Sequence, residues 1–382
     1  MKIGLSFSEL QSVLGYTNTV LSDKSVEDKM RNVIFMVNKD EVKVVGYNVF
    51  TFARTRLDNA VIEDVGDEGW EFQVKASDLN KIVASFSSLY KTEVKNIELE
   101  LEGVRIKVTL HEEAKEEKDS HLAQDSTFYL ESAPIMKNIL TEIHKEYPDA
   151  SDMVSAGDLL LYLDSLFSLL NNDASNSMTS KLNFAEDYAF VITGSLSAFM
   201  VNKLPDAFKG ITITYSSTNF LKKLCENVEN LGVAKEDKYL CIQSGNTEAF
   251  MRYSPIKINY KMYVSKYDTS NGIVLDRLYF KDVLKRMGSI APDGKAKVTS
   301  DGGLHVSNNN FEQLIPLNKS KGEVGNISFN MAVGIMEKTI LGLDSVMPEE
   351  MFMYFVSTAR GYVIYTGDKT GSWFASTQVS GA

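Results

Sequence analysis

The feature that most limits how this chain can fold is a strand–corner–helix pattern that recurs along its 382 residues. One copy, WEFQVKASDLNKIVASFSSL at residues 70–89, has a short alternating run, a polar corner and then an amphipathic helix. Leu79, Ile82 and Val83 are spaced i, i+3 and i+4, which places them on one face of a helix. Ser77 is predicted to cap this helix, since its hydroxyl can accept a backbone N–H of the first turn.

Six copies of this pattern occur, and each is followed by several alternating runs that predict strands. The predicted starts of the copies are Lys2, Trp70, Asp152, Ile211, Ile273 and Asn326. In the first copy Ser6 and Glu9 have the spacing of a capping box. Hairpins are predicted at the glycine-containing turns Glu102-Gly103, Gly245-Asn246, 301–303, Arg360-Gly361 and Gly367-Asp368. Because one such unit is too small to close its own core, the chain is predicted to be an array of units of α+β class.

Pairing the six units predicts three domains. Their predicted bounds are residues 1–148, 149–268 and 269–382. The breaks fall in two polar, turn-rich segments, HKEYPDASD at 144–152 and YDTSNG at 267–272.

Composition predicts a folded, soluble protein. Hydrophobic residues make up 44% and charged residues 24% of the chain, which argues against wholesale disorder. The longest apolar stretch, residues 159–170, is too short to span a bilayer and contains Asp164. No basic and apolar leader begins the sequence, so we expect an unexported, cytoplasmic protein. The two cysteines, Cys225 and Cys241, fit a reducing compartment and are expected to be buried, inert thiols.

The sequence contains none of the motifs that would indicate an enzyme, a metal site or a cofactor site. Its four histidines, His111, His121, His144 and His305, are scattered and lack metal-ligand spacing with the cysteines. The acidic stretch at 63–71 is predicted to be a solvated connection, and residues 111–121 a charged, mobile loop.

Basic residues occur on or beside several predicted helices, although the net charge is −11. The basic residues that could form a nucleic-acid face are Lys24, Lys75, Lys81, Lys91, Lys222, Lys223, Lys281, Lys285, Arg286 and Lys338. Lysine on a solvated helix face is also ordinary, and the third helix carries Asp158 and Asp164 but no lysine. The pattern indicates nucleic-acid binding only if the helices share one side of the assembly.

Six strand–helix–strand units in three domains, with partly basic helices and an acidic total charge, resemble the sliding clamps of DNA replication. The resemblance is to the bacterial beta clamp and its phage relatives, and it covers essentially the whole chain. It rests on KIGLSFSELQSVL and FQVKASDLNKIV in the first domain, and on GGLHVSNNNFEQLIPL and ISFNMAVGIMEKTIL in the third. It implies a ring of two subunits joined head to tail, with helices lining the interior and antiparallel sheets outside. Such a ring would encircle double-stranded DNA without sequence preference, in the cytoplasm of a host cell if the chain is phage-encoded.

The resemblance also implies surfaces for partners. A pocket for a hydrophobic peptide of a DNA polymerase or clamp loader would be lined by Thr193, Gly194, Ser195, Leu196, Phe374 and Ser376. The sequence departs from the family here, because Ser195 and its neighbours replace the usual basic and histidine residues and STQVSGA replaces the usual proline–methionine end. The ring interface would use Phe128, Met287 and Ile290, each of which could equally belong to a domain core.

Two other classes of function stay open at the level of sequence. A structural scaffold built from α+β repeats would share the repeats but would need neither a basic helix face nor a peptide pocket. An enzyme with a site assembled from unrecognised loops is the third class, and no nucleophile, metal set or phosphate loop in the sequence favours it.

Overall fold

The structure is a computed structural model of the chain. It describes residues 1–21, 31–66, 69–150, 152–170, 181–194, 196–226, 228–298, 302–322, 324, 327–344, 349–368 and 370–381.

The described residues contain helices and strands in close alternation. The helices are α1 Phe7–Leu21, α2 Ala76–Phe86, α3 Lys137–Ile143, α4 Ala156–Phe167, α5 Tyr215–Cys225, α6 Lys261–Val264, α7 Arg277–Gly288 and α8 Val333–Leu343. The strands of the first part are β1 Lys2–Ser6, β2 Asn32–Val37, β3 Val42–Tyr47, β4 Thr51–Leu57, β5 Val61–Glu63, β6 Trp70–Lys75, β7 Thr92–Glu102, β8 Arg105–Ala114, β9 Ser126–Ala133, β10 Asp152–Ser155, β11 Lys181–Phe184, β12 Tyr188–Ile192 and β13 Leu196–Val201. The later strands are β14 Ile211–Thr214, β15 Asn230–Lys235, β16 Tyr239–Ser244, β17 Thr247–Arg252, β18 Ser254–Pro255, β19 Gly272–Asp276, β20 Asp293–Val298, β21 Gly303–Asn308, β22 Phe311–Pro316, β23 Lys319–Lys321, β24 Ser328–Ala332, β25 Glu350–Thr358, β26 Gly361–Gly367 and β27 Trp373–Ser380.

The predicted recurring unit is confirmed six times. In each copy a strand runs directly into a helix, and at least three strands follow: β1–α1, β6–α2, β10–α4, β14–α5, β19–α7 and β24–α8 are the six openings. Four copies begin at the predicted residue, and the fifth begins one residue earlier, at Gly272. Asn326 lies outside the described residues, and its strand begins at Ser328. The short helices α3 and α6 fall in the segments between pairs of copies.

Helix starts differ from the prediction in detail. The Ser6 hydroxyl accepts the N–H of Glu9 at 3.4 Å, so half of the predicted capping box forms. The carboxylate of Glu9 accepts backbone N–H groups of Asp58 and Asn59 and does not return to Ser6. Ser77 is not a cap, because α2 begins at Ala76 and the Ser77 hydroxyl donates to Asp78 at 3.1 Å.

Two of the predicted hairpin turns have glycine with a left-handed backbone. Gly103 joins β7 to β8 with φ of 66°, and Gly245 joins β16 to β17 with φ of 55°. The predicted loop at 111–121 was wrong, since β8 continues to Ala114 and a 3₁₀ turn covers Glu117–Leu122. The carboxylate of buried Asp119 lies 2.9 Å from the Lys91 ammonium, and this ion pair holds the turn.

The chain divides into two compact units. The first unit comprises Met1–Ala156 and Asn219–Tyr253, and the second comprises Gly157–Thr218 and Ser254–Ala382. The predicted middle domain, 149–268, contributes to both units because its strands continue two different sheets. The three-domain division stays a prediction.

The first unit is built on a 13-stranded sheet in the order β10-β15-β16-β17-β4-β3-β2-β6-β9-β8-β7-β1-β5. In its middle β17 pairs antiparallel with β4, which sets Phe250 opposite Phe52. A core of apolar residues lies between this sheet and helices α1 and α2. The two helices are joined by reciprocal amide hydrogen bonds between Asn18 and Asn80, of 3.0 and 2.7 Å.

The second unit contains a ten-stranded sheet, β18-β14-β11-β12-β13-β27-β26-β25-β19-β23, and a four-stranded sheet, β22-β21-β20-β24. In the larger sheet β13 pairs antiparallel with β27 and sets Phe199 opposite Phe374. Helices α7 and α8 pack together, and the buried Arg277 of α7 pairs with Asp344 at the end of α8. No helix among the described residues is long and apolar enough to cross a membrane.

Candidate functional site

The basic residues predicted to contact DNA are distributed unevenly over the helices. Lys81 on α2 is 81% exposed in its side chain and lies 4.0 Å from Asp78. Lys285 and Arg286 on α7 and Lys338 on α8 are also exposed. These four residues leave their cationic groups on helix surfaces that face away from the core.

The other predicted basic residues have more restricted positions. Lys75 is exposed, but it is the last residue of β6. Lys222 and Lys223 on α5 are half-buried, and Lys223 lies 2.5 Å from Glu226. Lys281 on α7 lies 2.5 Å from Asp344. Lys24 lies outside the described residues.

Lys91 is not on a helix, because it lies just before β7 and its ammonium neutralises Asp119. The exposed face of α1 is uncharged, and its residues include Ser8, Gln11 and Ser12. The helix surfaces therefore carry a sparse set of cations. Sparse cations suit loose contact with phosphates and do not suit recognition of a base sequence.

The turn predicted to line a peptide pocket joins β12 to β13. The Thr193 hydroxyl accepts the N–H of Leu196 at 3.0 Å, which closes the turn. The pairing of β13 with β27 then brings Ser197 and Ser376 together, with their hydroxyl oxygens 2.6 Å apart. Leu196 lies opposite Thr377 in the same pairing. The structure thus places Leu196 beside the Ser197–Ser376 pair, and it places Thr193 and Gly194 in the turn before Leu196, on the side of β13 away from β27. Ser195 lies outside the described residues.

Phe374 cannot line an open pocket in this structure, because it is only 1% exposed. Its ring stacks against Tyr267 at 4.4 Å and against Phe199 at 5.2 Å. Tyr267 belongs to the segment after β18, and Tyr260 of the same segment stacks on Phe190 at 5.0 Å. The sequence showed Phe374 on a strand but gave no sign of the tyrosines that cover it. Burial raises the pKa of Tyr267 well above its usual range, so the covering ring stays neutral.

An open cleft lies beside this aromatic cluster in the second unit. The cleft has a volume of about 490 Å³. Its lining residues are Lys181, Asn183, Thr212, Ser254, Pro255, Lys257 and Ile258. The Thr212 hydroxyl donates to the Asn183 side chain at 2.8 Å, so the polar floor is internally satisfied. None of these residues was predicted as a site, since they come from three separate strands, β11, β14 and β18, and from the segment after β18.

The predicted ring interface is only partly accessible. Met287 is fully buried, and its methyl group occupies the space beside Gly294, so it is a core residue and not an interface residue. Phe128 is half-buried against Phe86, at 5.9 Å between ring centroids. Ile290 is exposed, as an interface residue would be. Sequence periodicity could not distinguish core residues from interface residues, because the apolar pattern is the same whether the chain itself or a partner covers the side chains.

Two strand edges are open beside these residues. β22 ends the four-stranded sheet, and Leu314 on it is 48% exposed. β9 pairs with β8 along Ser126–Glu131, and on its other side the described residues pair only at Ser132 and Ala133. Tyr129 on β9 is 56% exposed. Among the described residues no three His, Cys, Asp or Glu side chains are grouped so that they could hold a metal ion.

No family model matches the sequence, and no curated protein sequence matches it either. Solved structures do match along the full length. The DNA polymerase sliding clamp of Bacillus subtilis has a TM-score of 0.77 at 10% identity, covering 100% of this chain and 99% of that chain. The DNA polymerase III subunit beta of Pseudomonas aeruginosa has a TM-score of 0.75 at 14% identity, covering 100% of both chains. The corresponding subunit of Thermotoga maritima has a TM-score of 0.74 at 14% identity, covering 99% of this chain and 98% of that one. The chain therefore has the fold of the beta subunit of DNA polymerase III, the bacterial sliding clamp.

Proposed function

We propose that this chain is a DNA sliding clamp, a non-catalytic processivity factor that encircles duplex DNA and tethers a polymerase to it. The observation that supports the proposal most strongly is the match to sliding clamps over 98–100% of both chains. A match of this extent involves all six strand–helix units and not one shared domain.

The strand pairing supports a ring of two subunits joined head to tail. β4 and β13 are each the third strand after the helix in the first half of a predicted domain, and β17 and β27 are each the third strand after the helix in the second half of one. These strands form two junctions within the chain, β4 with β17 and β13 with β27. The strands at the third equivalent positions are β22 and β9, whose edges are open. In the proposed ring, β22 of one subunit pairs with β9 of the next, which closes two edges that would otherwise invite aggregation.

The proposed ring would hold DNA by topology more than by affinity. Twelve helices, each ~10 Å across, give a circumference of ~120 Å and an opening of roughly 28 Å, which admits a B-form duplex. Lys81, Lys285, Arg286 and Lys338 would make the few phosphate contacts, and the net charge of −11 would repel DNA from other surfaces. Three domains per chain, with bounds near 148 and 268, complete the proposed six-domain ring.

Partners would attach on the sheet side of the second unit. We propose that a hydrophobic peptide of a polymerase or clamp loader binds near Thr193, Gly194, Leu196 and Ser376. One of the matching structures, the sliding clamp of Pseudomonas aeruginosa with a TM-score of 0.73 and 14% identity, is bound to griselimycin. In this chain the peptide would meet Tyr267 and its neighbours, so its sequence preference would differ from that of the matched clamps. The proposed setting is the cytoplasm, of a host cell if the chain is phage-encoded.

Mass and retention on DNA test the proposal together. Sedimentation should give a mass near twice 42.6 kDa, and the protein should stay on nicked circular DNA but leave it after linearisation. Loss on linearisation is the signature of topological retention, since the charge contacts are the same on both templates. A protein retained equally on both templates, or on neither template when a clamp loader and ATP are supplied, would contradict the clamp and favour a structural scaffold.

A further inference from the structure

The first unit contains an open cleft that the proposed clamp function does not use. Its volume is about 600 Å³. Its lining residues are Thr141 and Glu142 of α3, Lys145, Lys238, Tyr239 of β16, Arg252 of β17, and Tyr253. Ligand pockets commonly have volumes of ~300–1,000 Å³, so this cleft can take several residues of a peptide.

The walls of the cleft are fixed by their own hydrogen bonds. The Arg252 guanidinium donates to the Glu142 carboxylate at 3.0 Å and to the Tyr239 hydroxyl at 3.1 Å. The Tyr239 hydroxyl in turn donates to Glu142. On the other side, the Tyr253 hydroxyl donates to the Glu236 carbonyl at 2.8 Å. Because these side chains are ordered before a ligand arrives, binding would cost little of their conformational entropy.

Cations outnumber anions on the lining. Lys145, Lys238 and Arg252 face a single lining carboxylate, Glu142. Arg252 pairs with Glu142, and Lys145 pairs with Glu236 at 2.5 Å. Lys238 is exposed and forms no ion pair with any described residue. Lys238 is therefore the lining cation that remains available to an acidic ligand after these two pairings.

The cleft lies at the first of the two internal junctions, where β4 meets β17. Near the start of β4, Phe52 stacks on Phe250 at 4.4 Å between ring centroids. On the second junction, the pairing of β13 with β27 likewise sets Phe199 opposite Phe374, with 5.2 Å between the ring centroids. Both junctions therefore contain a stacked aromatic pair, while the residues that line the neighbouring clefts differ.

We propose that the cleft in the first unit binds an acidic peptide segment of a partner protein. An apolar side chain of the peptide would lie against the ring of Tyr253, and its carboxylates would face Lys238 and Arg252. The Lys235 ammonium already lies 5.5 Å from the Tyr253 ring centroid, which adds positive charge to this edge. The inference concerns a different surface from the peptide site proposed near Thr193 and Ser376, and it does not depend on encirclement of DNA.

The charges favour a peptide over a nucleic acid. Glu142 lines the cleft, Glu236 pairs with Lys145 on the lining, and Glu236 and Asp237 directly precede Lys238 in sequence. A nucleic-acid strand carries one phosphate per nucleotide and would bring several charges near these carboxylates. A peptide can place one or two carboxylates at Lys238 and Arg252 and keep apolar groups elsewhere.

Fluorescence anisotropy with a defined probe tests the proposal on the full-length protein without DNA. The probe is a fluorescein-labelled decapeptide with a central leucine–phenylalanine pair, one aspartate on each side of that pair and three glycines at each end. We expect saturable binding that Lys238→Glu weakens about fivefold or more, because the change replaces an attraction by a repulsion. Thr141→Lys adds a cation at the exposed wall and should tighten binding about twofold.

Matched controls separate the cleft from other surfaces. Lys257→Glu makes the same charge change at the cleft of the second unit and should leave the affinity unchanged. A peptide with lysines in place of the aspartates should not bind. Three results would each overturn the proposal. The first is binding that is lost with Lys257→Glu and not with Lys238→Glu. The second is equal binding of the lysine peptide, and the third is no saturable binding of the acidic peptide. The proposal would also be overturned if a ten-nucleotide single strand bound in a way that depends on Lys238 and the acidic peptide did not bind at this cleft.

Discussion

At the scale of single residues, one ion pair connects three parts of the first unit. Arg54 of β4 is buried and contacts Glu248 of β17 through its Nε. Its Nη1 donates to the carbonyl oxygens of Ile143 and Lys145, at 3.0 and 2.7 Å. The guanidinium therefore ties the junction to the segment that follows α3. Nothing in the local sequence predicted this pair, since its members are 194 residues apart.

Removing the carboxylate from this pair should destabilise the first unit. Glu248→Ala leaves Arg54 buried without its counter-charge, and we expect a loss of about 2–3 kcal/mol in the free energy of unfolding. This figure is below that for a fully buried pair because Glu248 keeps some contact with solvent. Glu248→Gln keeps an acceptor for Arg54 and should lose about half as much. Urea unfolding followed by circular dichroism measures both, and equal stability of Glu248→Ala and the parent protein would contradict the assignment.

Stability should also fall at alkaline pH. Burial raises the pKa of the Cys241 thiol to about 12 and that of Tyr239 to about 12. Both groups are neutral when protonated, so the unfolded chain loses these protons at lower pH than the folded chain does. The free energy of unfolding is therefore unaffected below about pH 9 and falls as pH rises from about 9 to 12. Melting temperatures at pH 8 and pH 11 measure the effect, and Cys241→Ala should show a smaller drop than the parent. A parent protein with the same melting temperature at both pH values would contradict the prediction.

At the scale of elements, the strand–helix unit could be read from the sequence because it is local. Alternation and a 3.6-residue period within about 20 residues fixed four of the starts to the residue. Burial by distant segments could not be read in this way. Met287 and Phe374 were expected at surfaces, yet Gly294 and Tyr267 lie against them. Each of these contacts joins residues from separate elements, so no periodic pattern reports it.

The exposed face of α7 gives a prediction for DNA retention. In the proposed ring Lys285 and Arg286 lie near phosphates, and reversing both charges should shorten the dwell time on nicked circular DNA. The salt dependence should also become shallower, by about 1–2 in the slope of log affinity against log salt. The sedimentation mass should not change, because neither side chain packs in the core.

A matched double change in the same unit controls for total charge. Lys295→Glu with Lys297→Glu makes the same change on β20, where both side chains are exposed. We expect its dwell time on DNA to stay near that of the parent protein. Equal losses for the two double variants would show that total charge, and not the α7 face, sets retention.

At the scale of the whole molecule, the order of strands in the sheets was beyond the sequence. The six units could be predicted, but the joining of β4 to β17 and of β13 to β27 depends on registers between segments 179–194 residues apart. Many registers satisfy the same alternation, so local patterns cannot choose among them. The turn between β12 and β13 was predicted to line a peptide pocket only through resemblance, while the two clefts needed the folded arrangement.

The open edge of β22 gives the last prediction, because the proposed ring must use it. Leu314 is half exposed, and Leu314→Glu would place a charge in the new interface while leaving the core of the subunit intact. We expect the mass to fall from about twice 42.6 kDa to 42.6 kDa, with retention on nicked circles lost and the melting temperature of the subunit unchanged.

Tyr129→Glu on β9 should do the same from the other side of the interface. Val104→Glu is the control, since Val104 is also an exposed apolar residue but lies in the turn between β7 and β8. A Leu314→Glu protein that remains a dimer and stays on circular DNA would show that the ring closes through a different edge. If only the β9 and β22 variants lose the dimer and the retention on circular DNA, the interface lies at these two strands.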